Sequence, residues 1–95
     1  MSKDRRLTKD VDNLFRAILN LKNKGEARAF FGDLLTPKEI EEFATRWKAA
    51  NMLHKGVSYK EIAKVTNLSS RTIARINLWL KKGEGGYRLL IHRVK

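Results

Sequence analysis

The chain contains no cysteine, which excludes disulfides, thiolate nucleophiles and cysteine-ligated zinc. Its two histidines, His54 and His92, lie far apart with no motif around either, and a lone His near a helix end ordinarily complements the helix dipole. Acidic residues are also few, 10 against 21 Lys and Arg, and their order shows no metal-binding carboxylate constellation. The apolar runs are too short to span a membrane, and no signal-peptide core follows the polar start of the chain. Aromatic residues make up 8% of the chain and are nearly absent from the outward face of the motif described below, which argues against stacking of single-stranded bases. An enzyme is therefore the least favoured class, and a soluble cytoplasmic protein without metal or membrane attachment is expected.

What is present in excess is positive charge. A formal net charge of +11 on 95 residues calls for an acidic partner. The charge is not evenly spread: from Ser58 to Lys95 there are nine basic and two acidic residues. A chain of this length makes one domain with a modest core, which a second copy would enlarge.

The basic region holds the most informative pattern, from Ser58 to Leu80. Ser58-Tyr59-Lys60-Glu61 has the form of a capping box, in which the Ser hydroxyl and Glu carboxylate satisfy free N–H groups at a helix start. Ile62 and Thr66 line the inner face of that helix, and the small Ala63 lets a second helix cross closely. Asn67 supplies the positive φ of a tight turn, and Leu68 plugs the corner. Ser69 caps a second helix, whose Ile73 and Ile76 face inward while Ser70, Arg71, Ala74 and Arg75 face outward. This is a helix-turn-helix, whose second helix enters the major groove of duplex DNA. Lys60, Lys64, Arg71 and Arg75, joined by Lys81 and Lys82, would contact phosphates. Ser69, Ser70, Arg71, Thr72 and Ala74 lie where bases are read, with Arg71 suited to a bidentate contact with guanine and Thr72 or Ala74 to a thymine methyl. Bland roles compete: the two serines as caps, the lysines and arginines as a solvated face.

Three further helices are predicted upstream. Val11, Leu14, Phe15, Ile18 and Leu21 recur at helical spacing from about Lys9 to Lys22, with Asp10 at the start and a frayed Met1 to Arg6 before it. Asn23-Lys24-Gly25 interrupts the pattern, and Glu26 to Leu34 forms a shorter helix. Thr36-Pro37-Lys38-Glu39 is the sharpest helix start in the chain, and Gly56 ends that helix near Lys55 as a left-handed cap. Ile40, Phe43, Ala44, Trp47 and Leu53 are its predicted buried stripe. Residues 1–82 are read as the DNA-binding domain; residues 83–95 are read as a Gly-rich hinge with a mostly extended basic tail. Trp47 and Trp79 are read as packing anchors.

The order Leu35-Thr36-Pro37, Thr45-Arg46, a Gly-ended helix, then Ser58-x-x-Glu61 and the motif resembles the Trp repressor family, closest to its YerC/YecD branch, over about Leu34 to Leu80. Gly85-Gly86-Tyr87 is similar too. The resemblance implies an all-α, Trp repressor-like helical domain with a C-terminal helix-turn-helix, forming an intertwined homodimer. It also implies L-tryptophan as effector, with Thr36, Arg46 and Arg75 on positions that line the pocket. Two residues depart from the family: Ile76 stands where a glycine lies beside the indole, and Trp79 where a serine receives the amino group. These departures lead us to expect a protein that works without tryptophan. Thr36 also serves as a cap, Arg46 lies four residues after Glu42, and Arg75 suits a phosphate.

The function expected is sequence-specific binding of double-stranded DNA by a homodimeric, repressor-like transcriptional regulator. A transposase-like DNA-binding module and an RNA- or ribosome-associated basic helical protein are the alternatives. A pure protein-interaction role leaves the charge of the reading head unexplained.

Overall fold

A computed structural model describes the backbone of residues 5–94 and side chains from residue 8 to residue 94. Six helices are present among these residues: α1 Arg5–Leu19, α2 Lys24–Leu34, α3 Pro37–His54, α4 Tyr59–Thr66, α5 Ser70–Lys82 and α6 Gly86–Arg93. The chain divides into two compact units, Met1–Pro37 and Lys38–Lys95.

In the first unit α1 starts earlier and ends earlier than its apolar spacing predicts. Arg5 and Arg6 are helical rather than frayed, and Asp10 lies inside the helix rather than at its start. The rest of the predicted frayed end lies outside the described residues. The helix stops at Leu19 because Asn20 turns back on it, its Nδ2 donating to Arg16 O at 2.8 Å and its N–H to Ala17 O at 3.0 Å. Asn23 is a helix start and not merely a break. Its Oδ1 accepts from Glu26 N–H at 2.9 Å, while Glu26 Oε1 accepts from Lys22 N–H at 2.9 Å. These reciprocal bonds place Gly25 within the first turn of α2. No described side chain of this unit is fully buried.

The second unit holds the core. Ala49, Ala50, Ile62 and Ile73 are fully buried and Ile76 is 1% exposed; Met52, Leu53, Val57, Ala63, Leu68, Tyr87 and Ile91 pack around them. Each buried isoleucine contributes about 1.5–3 kcal/mol by leaving water. On α3 the predicted stripe is displaced: Phe43 is 49% exposed, Ile40 and Ala44 are exposed, and Trp47 and Leu53 only half-buried. The alanines are instead the buried residues of α3, in one cluster with Ile62, Ile73 and Ile76. Gly56, at φ +84°, ends α3 in the left-handed conformation expected of it.

The tail is not extended. After Gly83-Glu84-Gly85, α6 forms and lays Tyr87 and Ile91, one turn apart, against the core. Tyr87 also stacks on Trp47, with ring centroids 6.4 Å apart. Burial of that face outweighs a start that lacks a side-chain cap. Gly83 is required at its position: its N–H donates to Trp79 O at 2.9 Å, and a Cβ there would lie 2.5 Å from the same oxygen.

Candidate nucleic-acid interface

The two helices of the motif are fixed by local chemistry that the sequence announces. Ser58 Oγ accepts from Glu61 N–H at 3.2 Å and starts α4. Thr66 donates its hydroxyl to Ile62 O at 2.6 Å and accepts from Leu68 N–H at 3.3 Å, so it ties the last turn of α4 to the linker. Asn67 then adopts φ +63°, with its N–H donating to Ala63 O at 2.8 Å. Ser69 Oγ accepts from Thr72 N–H at 3.1 Å and donates to Thr72 Oγ1 at 3.0 Å. Both hydroxyls therefore serve the first turn of α5.

Burial sorts the faces of α5. Ile73, Ile76 and Leu80 are inside, whereas Ser70, Arg71, Ala74 and Arg75 are exposed. Arg71 and Arg75 are four residues apart and so share one side of the helix. On α4, Lys60 and Lys64 have the same spacing and are also exposed. Thr72 is half-buried. Chemically, the two helices present four exposed cations beside short polar and small side chains. That combination suits a phosphate backbone with base edges between its strands.

The residues drawn from the tryptophan pocket fare differently. Ile76 belongs to the core. Arg46 is exposed on α3, its guanidinium 5.8 Å from the centroid of the Phe43 ring, a cation–π contact one turn away. Arg75 is exposed on α5, and Thr36 is exposed immediately before α3, in the first unit. Trp79 is 46% exposed and lines an open cavity of about 490 Å³ with Gly83, Glu84, Gly86 and Tyr87. Arg46, Arg75 and Ile76 do not line that cavity.

Three arrangements escaped sequence reasoning. Asn77 Nδ2 donates to Tyr59 Oη at 3.0 Å, joining the third turn of α5 to the first of α4. His54 and His92 meet edge to face, with ring centroids 5.6 Å apart. Arg88 Nη2 donates to Lys81 O at 3.0 Å. No local signal marks the first two, since they join residues distant along the chain. The third depends on α6, which the i, i+4 spacing of Tyr87 and Ile91 could have revealed. Among the described residues no helix is long and apolar enough to cross a membrane, and no group of three or more His, Asp or Glu side chains is placed to hold a metal ion.

Comparison with known proteins bears on the same architecture. The family described as Trp repressor protein matches residues 9–95. The uncharacterised protein YerC of Bacillus subtilis (strain 168) is 39% identical over 95 residues, all of this chain and 91% of YerC. Among solved structures, a TrpR-like protein from Eubacterium eligens has a TM-score of 0.85 at 40% identity, covering 90% of this chain and 88% of that one. A candidate Trp repressor from Staphylococcus aureus has a TM-score of 0.84 at 33% identity, covering 97% and 94% respectively.

Proposed function

The chain belongs to the Trp repressor protein family, whose members are transcription regulators rather than enzymes, and from that premise we propose that it binds specific sequences of duplex DNA as a homodimeric, repressor-like regulator. The observation that carries this reading is the division of α5: Ile73, Ile76 and Leu80 are buried, while Ser70, Arg71, Ala74 and Arg75 are exposed on the other side. Lys60, Lys64, Arg71 and Arg75 supply phosphate contacts, and displaced counterions make affinity fall steeply with salt. Arg71 has the fork to read a guanine in the major groove. Ser69 and Thr72, engaged in the cap, hold the start of the reading helix at its angle.

A homodimer is supported by what one chain leaves exposed. Among the described residues, thirteen large hydrophobic side chains are at least 37% exposed, whereas six residues make up the buried core. Val11, Phe15 and Leu19 on α1, and Ile40 and Phe43 on α3, are among them. A second copy of the chain is the partner that family membership indicates. Two heads related by a dyad would meet successive major grooves about 34 Å apart, so the site would be a near-palindrome.

We further propose that binding is independent of L-tryptophan. Ile76 occupies the core, and Trp79 already places an indole near the end of the reading helix. Enrichment of the purified protein on a random duplex library, with and without L-tryptophan, tests both points. A near-palindrome recovered equally in both arms is the expected result. Recovery only with tryptophan would overturn the second point, and no enriched sequence in either arm would overturn the first.

A further inference from the structure

A second cluster of donors lies toward the C-terminal end of α5. Where the end of α3, the start of α4, the last turns of α5 and the first turn of α6 meet, there is an open cleft of about 410 Å³. Its polar lining consists of His54, Tyr59, Asn77, Lys81 and Arg88, with Leu53, Val57 and Leu80 as apolar wall. No Asp or Glu lines it. Glu84, on the turn before α6, lines the separate cavity beside Trp79. Arg46, Arg75, Ile76 and Trp79 do not line this cleft, so its residues are not those of the family's tryptophan pocket.

The donors are arranged rather than merely near one another. Tyr59 Oη accepts from Asn77 Nδ2, so the phenol retains its own proton to donate. The bond from Arg88 to Lys81 O uses one of five guanidinium donors and anchors the side chain over the C-terminal turn of α5. His54 is backed by the ring of His92, with Lys55 and Arg93 next along the chain. A pair of histidines could attract a transition metal, but Lys81 and Arg88 beside His54 and the absence of any carboxylate oppose a cation. They favour an oxyanion with several acceptor oxygens, met by a lysine charge, an arginine fork and neutral donors.

We propose that this cleft is a binding site for a phosphate group, supplied either by the backbone of bound duplex DNA or by a free phosphate. Each of the four helices contributes at least one donor, so the occupant couples the reading helix to α3 and α6. The proposal goes beyond the DNA-binding reading and does not require it; only the choice of source does.

The test uses the full chain and inorganic phosphate as probe, added at constant ionic strength near pH 7, with amide resonances recorded by NMR. Saturable movement of the Asn77 side-chain amide and of the backbone amides of His54, Tyr59, Lys81 and Arg88 is expected. Arg88→Gln and Lys81→Gln should each weaken the response about tenfold, the loss expected for one charge-assisted hydrogen bond. Lys48→Gln, on an exposed part of α3, should leave it unchanged. Lys81→Gln keeps the test decisive if Arg88→Gln loosens α6, because the bond to Lys81 O involves the main chain. A linear, non-saturating drift, or a response that neither Gln variant alters, would overturn the proposal.

The source is assigned by measuring duplex-DNA binding of the same variants against salt. A slope smaller by about one phosphate in both variants assigns the site to the DNA backbone; unchanged DNA binding assigns it to free phosphate. If the protein binds no DNA at all, the DNA-binding reading fails while a saturable phosphate response still upholds the site.

Discussion

The helix-turn-helix and the α1–α2 unit are built from similar amounts of apolar residue and end in different states. In the motif, Ile62, Ile73 and Ile76 are at most 1% exposed; Ser58 starts α4, and Thr66, Asn67 and Ser69 hold the connecting turn and the start of α5. In α1, Val11 is 39%, Phe15 55% and Leu19 84% exposed, although their spacing is as regular. The difference teaches that periodicity specifies a helix and its apolar side, but not the molecule that covers that side. The reading head closes its core within one chain. The first unit leaves the apolar side chains of α1 exposed within one chain.

The largest expected effect breaks the head alone. Ile73→Ala removes a fully buried side chain and should cost about 2–5 kcal/mol of unfolding free energy in urea titration. The turn after α5 is next. Gly83→Ala would force a Cβ to within 2.5 Å of Trp79 O, and a loss of about 1–3 kcal/mol is expected, measured by the same titration.

Phe15→Ala sharpens the comparison on the other side. A side chain 55% exposed in one chain would cost little if it stayed in water. If a second copy covers it, the loss should exceed about 1 kcal/mol, and the melting temperature should depend on protein concentration. Sedimentation at several concentrations checks the same point, because a protein monomeric throughout would remove the dimer from the proposed function.

At the reading face, Arg71→Ala should cost about 1–3 kcal/mol at one base position of the cognate site, and little elsewhere, if Arg71 reads a base. Equal weakening on every sequence would make it a phosphate contact. The smallest effect is expected for Ser69→Ala, about 1 kcal/mol of stability from the lost cap. Binding should fall only in proportion to stability. A larger fall in DNA affinity than in stability would show that Ser69 touches DNA directly.

Legibility differed along the chain for reasons that individual residues display. α4 and α5 were readable to the residue because Ser58, Asn67 and Ser69 act on neighbours two to four positions away. The start of α3 at Pro37 was readable for the same reason, as was the positive φ of Gly56. The buried residues of α3 were not. Ala49 and Ala50 lie inside because the isoleucines of α4 and α5 gather there, while Phe43, larger and more apolar, is left outside within this chain. The tail was misread as extended because three glycines in four residues hide a helix whose face has a core to meet only after folding. Of the candidate interface, the outward cations of α4 and α5 were legible. The Tyr59–Asn77 bond and the His54–His92 contact were not, since they join residues 18 and 38 positions apart.

By itself the sequence determined that this chain is helical and basic, where three of its helices, α3 to α5, begin, and which side of α5 faces out. Those properties follow from caps, turns, charge and spacing, all of which act over a few residues. Tertiary structure alone decided that the tail folds back as α6, that alanines rather than aromatics are the buried residues of α3, and that His54, Tyr59, Asn77, Lys81 and Arg88 line one cleft. Each of these depends on which surfaces meet, and that is settled by burial summed over distant segments rather than by any residue's neighbours in the chain.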